Sequence, residues 1–254
     1  MFTFKRVNAA VLCTLMSLSV SAFSQTQEAV IEFVIMEQVP YGFKSDANEE
    51  TGVLFDIANK LKSETSETPL ITLSTPQIIP TKRILTQLDQ TYPVCTIVAG
   101  TPIIADNYDL IEPIGFRLEA GVLPAADISI ESYSNLQDKS IAVPLGIMFD
   151  REFQQDESLN KISVREYSNG VKMLAAGRVD SVAGAIPSLL YAAKILDIPA
   201  SVFGKPLVFV EFDLFLVCNE HVVQQQRDEL KQVLVELKDQ GTIPHILDRY
   251  FDLR

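Results

Sequence analysis

Two short stretches of the sequence carry groups that could bind a ligand at the end of a strand. Residues 97–107 ("IVAGTPIIADN") and 181–190 ("SVAGAIPSLL") each run from small apolar residues into an Ala-Gly turn and a proline. In α/β sheets, ligands bind outside the carboxyl ends of strands. Gly100 and Thr101 would offer backbone N–H groups and a hydroxyl there, whereas Ala185 would offer an apolar surface. An ordinary tight turn is the alternative, and the sequence leaves both interpretations open.

The sequence lacks the side-chain arrangements that catalysis and metal binding require. A catalyst needs a positioned acid, base or nucleophile, but there is no Ser-His-Asp order and no pair of carboxylates at the predicted strand ends. His221 and His245 both fall in the C-terminal part and supply no ligand spacing, and Cys95 and Cys218 are too far apart and too few to suggest a metal cluster. We therefore expect no catalytic residue, no metal site and no cofactor.

A pair of basic residues could supply positive charge to a ligand. Lys82 and Arg83 open a predicted helix over 81–90, directly after a predicted strand. Cations at a helix start oppose the helix dipole by a few tenths of a kcal/mol, so this placement hints at a binding role. A solvated first turn is the alternative. Of the two residues, we favour Arg83 as a ligand-binding residue.

The spacing of apolar side chains predicts the elements that position these residues. Leu54, Ile57, Ala58 and Leu61 fall at i, i+3, i+4 and i+7, which is typical of a helix with one buried face. Short β-rich runs lie between such helices, and this alternation predicts parallel sheets covered by helices on both faces. The predicted strands are 30–36, 70–74, 94–99, 140–144, 162–167, 180–185 and 213–218. Further helices are predicted at 168–178, in "PSLLYAAKILD" (187–197) with Pro187 in its first turn, around residues 230–237 with Gly241 ending the helix, and around residues 243–250.

The order of the elements repeats, and the repetition predicts two lobes. Each half runs strand, helix, strand, helix, strand and then reaches its own Ala-Gly turn. The extended apolar segments 112–127 and 205–218 are placed to cross between the halves. We expect lobe 1 to comprise residues 25–118 and 213–254 and lobe 2 to comprise residues 119–212, with a ligand cleft between them.

The amino-terminal segment and the net charge limit the location and the partners of the chain. Residues 1–24 contain Lys5 and Arg6, an apolar stretch too short to span a bilayer, and a small-residue end, as a cleaved signal peptide does. Cleavage would make the formal net charge of −12 more negative by two units. A strongly acidic chain without a basic cluster repels nucleic acid. We therefore expect a monomer in the periplasm and no nucleic-acid partner.

Five segments in a fixed order carry a resemblance to one family. They are "VPYGFKSDANEETGVLFDIANKLKSE", "KRILTQLDQ", "NLQDKSIAVPLG", "MLAAGRVDSVAGAIPSLLYAAK" and "LKDQGTIPHILDRYF". Together they resemble the type II periplasmic solute-binding proteins, especially the polar-amino-acid branch (family 3) of the ABC-transporter binding proteins. The resemblance covers nearly all of the chain after the signal segment. It implies the periplasmic binding protein-like II fold, in which two α/β lobes are joined by two crossing strands.

Two ligand clamps of that family are missing from this sequence. In the family's amino-acid binders, an arginine three residues after a threonine pairs with the ligand carboxylate. Here Thr101 is followed by Pro102, Ile103 and Ile104, and the aspartate that takes the α-ammonium should fall near Ala185. A zwitterion buried without either partner would cost several kcal/mol. We therefore expect a small, partly apolar solute, neutral or singly negative, rather than a standard amino acid.

The resemblance also indicates which residues line the cleft. Tyr41 and Phe43 lie where the family presents an aromatic ring to its ligand, with a core position as the alternative. Residues 146–149 are expected to begin a helix that faces the cleft, and its N–H groups would suit an anion or a carbonyl. Met148 and Phe149 fit a core position equally well. The expected ligand-binding residues are Tyr41, Phe43, Arg83, Gly100, Thr101, Gly146, Met148, Phe149, Ala185 and Ile186.

The family's strand order bears on the two cysteines that lie beyond the signal segment. In the family, the strand that returns from the second crossing lies beside the third strand of the first lobe. This arrangement would bring Cys218 next to Cys95. The resemblance therefore implies a disulfide, which an oxidising compartment permits.

One leading function and two alternatives follow from the sequence. We expect the protein to bind a small solute by hinge closure of two lobes and to deliver it to an ABC-type transporter. The first alternative is presentation of the solute to a membrane receptor, because no motif marks the docking surface. A dehydratase-like enzyme on the same fold is less favoured, since a positioned acid or base is missing.

Overall fold

The strands of the protein alternate with helices along most of the chain. The computed structural model describes residues 30–45, 47–66, 68, 70–145 and 149–251, so the predicted signal segment lies outside the described residues. The strands are β1 Glu32–Glu37, β2 Phe43–Lys44, β3 Glu50–Thr51, β4 Gln77–Pro80, β5 Val94–Ala99, β6 Asp109–Pro124, β7 Ser140–Pro144, β8 Asn160–Val164, β9 Ser181–Ala185 and β10 Leu207–Cys218.

The helices bury the faces that the apolar spacing predicted. Leu54, Ile57, Ala58 and Leu61 are all fully buried on one helix face. None of the helices in the described part of the chain has the length and apolar character needed to cross a bilayer. The helices are α1 Val53–Thr65, α2 Ile84–Leu88, α3 Pro102–Asn107, α4 Arg151–Gln155, α5 Tyr167–Ala175, α6 Ile186–Ile195, α7 Gln224–Asp239 and α8 Thr242–Phe251.

A mixed sheet of eight strands runs through the molecule in the order β4-β1-β5-β10-β6-β9-β7-β8. Strands β4, β1 and β5 are parallel, and we call them the first sheet half; β9, β7 and β8 are also parallel and form the second sheet half. The long strands β6 and β10 lie between the halves and pair antiparallel with each other. They correspond to the two crossings predicted at 112–127 and 205–218.

The buried side chains form separate clusters on the two sheet halves. The cluster that contains Phe33, Leu54 and Leu230 joins β1 and α1 to the C-terminal helix α7. The cluster that contains Val182 and Leu189 joins β9 to α6. The C-terminal helices therefore pack on the first half, as the sequence predicted.

Two local predictions were wrong. A strand was predicted at 70–74, but in this segment only Leu73 forms a bridge, to Ile31, and the paired strand is β4 at Gln77–Pro80. The Ser74 hydroxyl accepts the Phe33 N–H at 3.0 Å, and Pro76 has no N–H to donate, so the ladder is interrupted between them. The helix predicted at 81–90 is a 3-10 turn, Thr81–Arg83, followed by the short helix α2.

Cys95 and Cys218 form the disulfide that the family resemblance implied. The two residues face each other on the antiparallel strands β5 and β10, and both are fully buried. The bond joins parts of the chain that are 123 residues apart. It therefore ties the strand that returns from the second crossing to the first sheet half.

Asp180 connects the beginnings of β7 and β9. Its Oδ2 accepts hydrogen bonds from the backbone N–H and the hydroxyl of Ser140, both at 2.7 Å. The Asp180 N–H donates in turn to the Ser140 hydroxyl at 3.0 Å. The bonds from Ser140 lower the pKa of Asp180.

We expect Asp180→Asn to lower the free energy of unfolding by about 1–2 kcal/mol at neutral pH, because it weakens charged hydrogen bonds. The folded pKa lies below the unfolded value of about 3.9, so the carboxylate stabilises the fold above that pH. This contribution is lost as the pH falls through the folded pKa. Urea unfolding over a pH series should therefore show the difference from wild type shrinking in acid. A pH-independent difference, or an equal loss in the exposed control Glu157→Gln, would contradict this assignment.

Candidate functional site

A pocket of about 260 Å³ lies between the two sheet halves. We call it the inter-half pocket. The segment after β1 lines it from one side, and the segments after β7 and β8, together with one face of α6, line it from the other. All three strands end there, as expected for a ligand site in an α/β sheet. The lining residues are Gln38, Val39, Pro144, Leu145, Arg165, Glu166, Tyr167, Ser168, Ser188, Ala192 and Ile195.

Tyr167 lies across the end of β9 at this pocket. Its hydroxyl accepts a hydrogen bond from the Ala185 N–H at 3.2 Å. A Cβ on Gly184 would come within 2.3 Å of the Tyr167 ring, so only glycine leaves room for it. Burial raises the pKa of Tyr167, and its hydroxyl stays protonated at neutral pH.

Tyr41 forms a contact between the two sheet halves. It lies in the turn after β1, is only 3% exposed, and belongs to the hydrophobic core of the first half. Ser188 of α6 donates a hydrogen bond to the Tyr41 hydroxyl at 3.4 Å. Burial also raises the pKa of Tyr41. The ring therefore takes the core position that the sequence left open as the alternative, and the hydroxyl contacts the other half; a ligand-binding role for Tyr41 stays a prediction.

We expect Tyr41→Phe to cost about 0.5–1.5 kcal/mol of unfolding free energy, because it removes one hydrogen bond. Tyr41→Ala should cost about 3–5 kcal/mol, as for other buried aromatic residues, because it leaves a cavity. Ser188→Ala should match Tyr41→Phe, and the double variant should add little to either. Chemical denaturation measures all four proteins. If Tyr41→Ala has the same free energy of unfolding as the wild type, the Tyr41 ring is not buried in the core.

The N–H groups predicted at the first Ala-Gly turn are already used inside the protein. The Gly100 N–H donates to the Asp213 carbonyl at 2.9 Å, and the Thr101 N–H donates to the Ala99 carbonyl at 2.8 Å. Strand β10 continues its pairing up to this turn, which the local sequence does not reveal. The Phe215 ring would lie 2.8 Å from a Cβ on Gly100. The prediction of free amide donors at this turn was wrong.

The residues predicted for the second lobe lie mostly in its interior. Ala185 and Ile186 are 7% and 4% exposed, so they do not form an open apolar lip. Phe149 stacks on Phe153 and Phe209, with ring centroids 5.6 and 6.0 Å apart. The helix expected to begin in this segment begins at Arg151, after Asp150 caps it. Gly146 and Met148 lie outside the described residues.

Phe43 and Arg83 lie on the first half, away from the inter-half pocket. Phe43 is half-buried, and its ring meets the edge of Tyr191 on α6 at a centroid distance of 6.4 Å. Arg83 is exposed at the end of the 3-10 turn. Neither lines the pocket, and their roles in binding stay predictions.

Arg165, Tyr167 and Ser188 are not among the site residues predicted from the sequence. No site residue was predicted directly after β8, where Arg165 and Tyr167 lie. The rule that ligands bind at carboxyl strand ends could have found these two. Ser188 gave no such signal, because its partner Tyr41 is distant in the sequence.

A larger cavity, of about 580 Å³, lies on the second half. It is lined by residues 126–131 and 204–207, which belong to the turn after β6 and the start of β10. The first half contributes nothing to it among the described residues. A ligand there would not contact both halves, so we favour the smaller inter-half pocket as the functional site.

No protein-family model matches the chain. The chain is similar to YxeM, a probable amino-acid-binding protein of Bacillus subtilis (strain 168), with 23% identity over 158 residues. That match covers 61% of this chain and 60% of the relative. PatH, a putative amino-acid ABC transporter-binding protein of Vibrio harveyi, is 27% identical over 124 residues, 48% of this chain and 50% of the relative. The matches thus span between half and three fifths of these relatives.

Solved structures share the fold over most of the chain. An ancestral amino-acid-binding protein, a precursor of cyclohexadienyl dehydratase, superposes with a TM-score of 0.63 at 20% identity and covers 88% of this chain and 96% of its own. The second substrate-binding domain of a putative amino acid ABC transporter from Streptococcus pneumoniae has a TM-score of 0.63 at 16% identity, over 87% and 99%. The fold is that of the type II periplasmic binding proteins. The resemblance to the amino-acid-binding proteins of ABC transporters is confirmed.

The same fold also occurs in a sensor domain. A histidine kinase sensor domain with similarity to periplasmic binding proteins has a TM-score of 0.64 at 11% identity and covers 88% of this chain and 96% of its own. At such identities the likeness establishes the fold alone. Function has to be argued from the pocket.

Proposed function

We propose that the protein is an exported solute-binding protein that closes around a small solute and delivers it to an ABC-type transporter. The observation that carries this proposal is the inter-half pocket, which lies at strand ends and is lined from both sheet halves. A solute held there contacts both halves at once, so its binding energy favours their approach. The names of the curated relatives support the same role.

The proposed lobes are residues 25–118 with 213–254, and residues 119–212. The separate core clusters of the two halves support this division. The pairing of β10 with β6 shifts register between Val208 and Val210 and again between Asp213 and Phe215. These irregularities lie close to the lobe boundary, where a hinge has to bend. They support bending of the two crossing strands at that point.

We also propose that the protein is exported as a monomer and does not chemically change its solute. The buried Cys95–Cys218 disulfide supports an oxidising compartment. Among the described residues, the ionisable groups that line the pocket are Arg165, Glu166 and Tyr167. Burial raises the pKa of Tyr167 further above neutral, so this hydroxyl is a poor general base near pH 7.

Native mass spectrometry of the protein purified from its own periplasm tests the binding role. We expect a small molecule to be retained in the native spectrum and lost on denaturation, with its mass unchanged after long incubation. A ligand at 100 times its dissociation constant should stabilise the fold by about 2.7 kcal/mol, which a thermal-shift screen detects. No retained molecule and no shift across a broad solute library would contradict a solute-binding function, and a changed mass would indicate turnover.

A further inference from the structure

The inter-half pocket has apolar walls that are open to solvent. Leu145 is 66% exposed and Ile195 is 55% exposed, and both line the pocket beside Val39. Exposed large apolar side chains around a concave site indicate that the hydrocarbon part of a ligand covers them. At about 260 Å³, the pocket is smaller than the roughly 300–1,000 Å³ of pockets for drug-sized ligands. It therefore suits a ligand with a short carbon chain.

Tyr167 lines the inter-half pocket, and its hydroxyl has a proton that it can donate to a ligand. Its oxygen already accepts the Ala185 N–H, and none of the described residues accepts its proton. Burial raises its pKa and keeps that proton in place. Ser188 is buried at the same pocket and donates to Tyr41. A ligand atom beside Tyr167 must therefore be an acceptor.

Neither charged side chain at this pocket makes an ion pair with a described residue, but only the negative one has a hydrogen-bond partner there. Arg165 is exposed there and makes no ion pair with any described residue. The carboxylate of the neighbouring Glu166 accepts a hydrogen bond from Ser168 at 3.4 Å and stands at the start of α5, where the helix dipole favours negative charge. Glu166 is thus partly satisfied within the protein, whereas Arg165 is available to an anion.

We propose that the inter-half pocket binds a short-chain monocarboxylate that lacks an α-amino group. Arg165 pairs with the carboxylate, Tyr167 donates a hydrogen bond to it, and the hydrocarbon chain lies against Leu145 and Ile195. This inference rests on the proposed solute-binding function and narrows its ligand. An α-ammonium has no side-chain acceptor at the end of β9, because Ala185 has no side-chain oxygen.

Calorimetric titration with three probes of matched shape tests the proposal: isocaproate, its amide isocaproamide, and leucine, which adds the amino group. We expect isocaproate to bind at least about tenfold more tightly than either of the others. Arg165→Gln should weaken isocaproate binding about 10- to 100-fold, and Tyr167→Phe about 3- to 10-fold. Arg178→Gln, an exposed arginine on the same half but outside the pocket, should stay within about twofold of wild type.

Some outcomes of these titrations would contradict only the monocarboxylate ligand, and one would contradict the solute-binding function itself. Tighter binding of leucine, lost in Glu166→Gln, would overturn the carboxylate proposal and leave the solute-binding function intact. Loss of isocaproate binding in Arg83→Gln but not in Arg165→Gln would overturn it as well. The carboxylate proposal would also be overturned if none of the three probes bound while the protein retained another molecule from the periplasm. A protein that binds no probe and retains no molecule would contradict the proposed function itself.

Discussion

Replacing both bonded cysteines, Cys95→Ala with Cys218→Ala, should lower the free energy of unfolding by about 2–5 kcal/mol. The bond joins β5 to β10 across 123 residues of chain, so its loss releases a long loop in the unfolded state. For a chain of this size, each kcal/mol corresponds to about 2–4 °C of melting temperature. Calorimetry or circular-dichroism melting of the two proteins measures the effect.

A reducing agent supplies the matched control for this prediction. It should lower the melting temperature of the wild type toward that of the double variant and leave the variant unchanged. Both sulfurs are fully buried, so reduction should proceed through opening of the fold. Two alkylatable thiols in the exported, unreduced and denatured protein would show that the bond does not form.

Gly184→Ala should both destabilise the fold and abolish solute binding. Gly184 has a φ of +149°, and its added Cβ would lie 2.3 Å from the Tyr167 ring. The backbone strain and the displaced ring together should cost about 2–5 kcal/mol. Because we propose that the Tyr167 hydroxyl donates a hydrogen bond to the ligand, moving the ring should also remove a ligand contact. Chemical denaturation and the isocaproate titration give the two readouts.

Two further variants separate the clash from the backbone strain. Gly177 also has a positive φ, +62°, but a Cβ there would meet nothing within 4 Å, so Gly177→Ala should cost only about 1 kcal/mol. In a Tyr167→Ala background, Gly184→Ala should cost much less than in the wild type, because the ring is gone. Equal costs for Gly184→Ala and Gly177→Ala would show that Tyr167 does not lie where the structure places it.

The sequence could predict those helices and strands that are determined by the local spacing of apolar residues. The face of α1 and the first turn of α6, with Pro187, follow from residues within a few positions of each other. The crossing strands β6 and β10 could be recognised because they are long, apolar and extended. The position of β4 could not, because the Ser74 hydroxyl and Pro76 interrupt its pairing with a strand about 40 residues earlier.

The candidate site was harder to predict because contacts distant in sequence decide it. The Gly100 N–H was predicted to be free, but it donates to the carbonyl of Asp213 on β10, which is more than a hundred residues later in the sequence. Ala185 was predicted to offer an apolar surface to the ligand, but it is buried and its N–H donates to the Tyr167 hydroxyl. Tyr41 was predicted to bind the ligand, but its hydroxyl accepts a hydrogen bond from Ser188 on the other half, which the sequence near Tyr41 does not reveal. Strand ends show where a ligand can bind, and packing between the halves determines which side chains reach it.

A crystal structure of the protein purified from its native host, without added ligand, tests the central claim most directly. We expect electron density for a small molecule in the inter-half pocket, in contact with Gln38 or Val39 on one side and with Tyr167 on the other. Density in the larger cavity at residues 126–131 and 204–207, without any contact to the first sheet half, would contradict binding between the two halves.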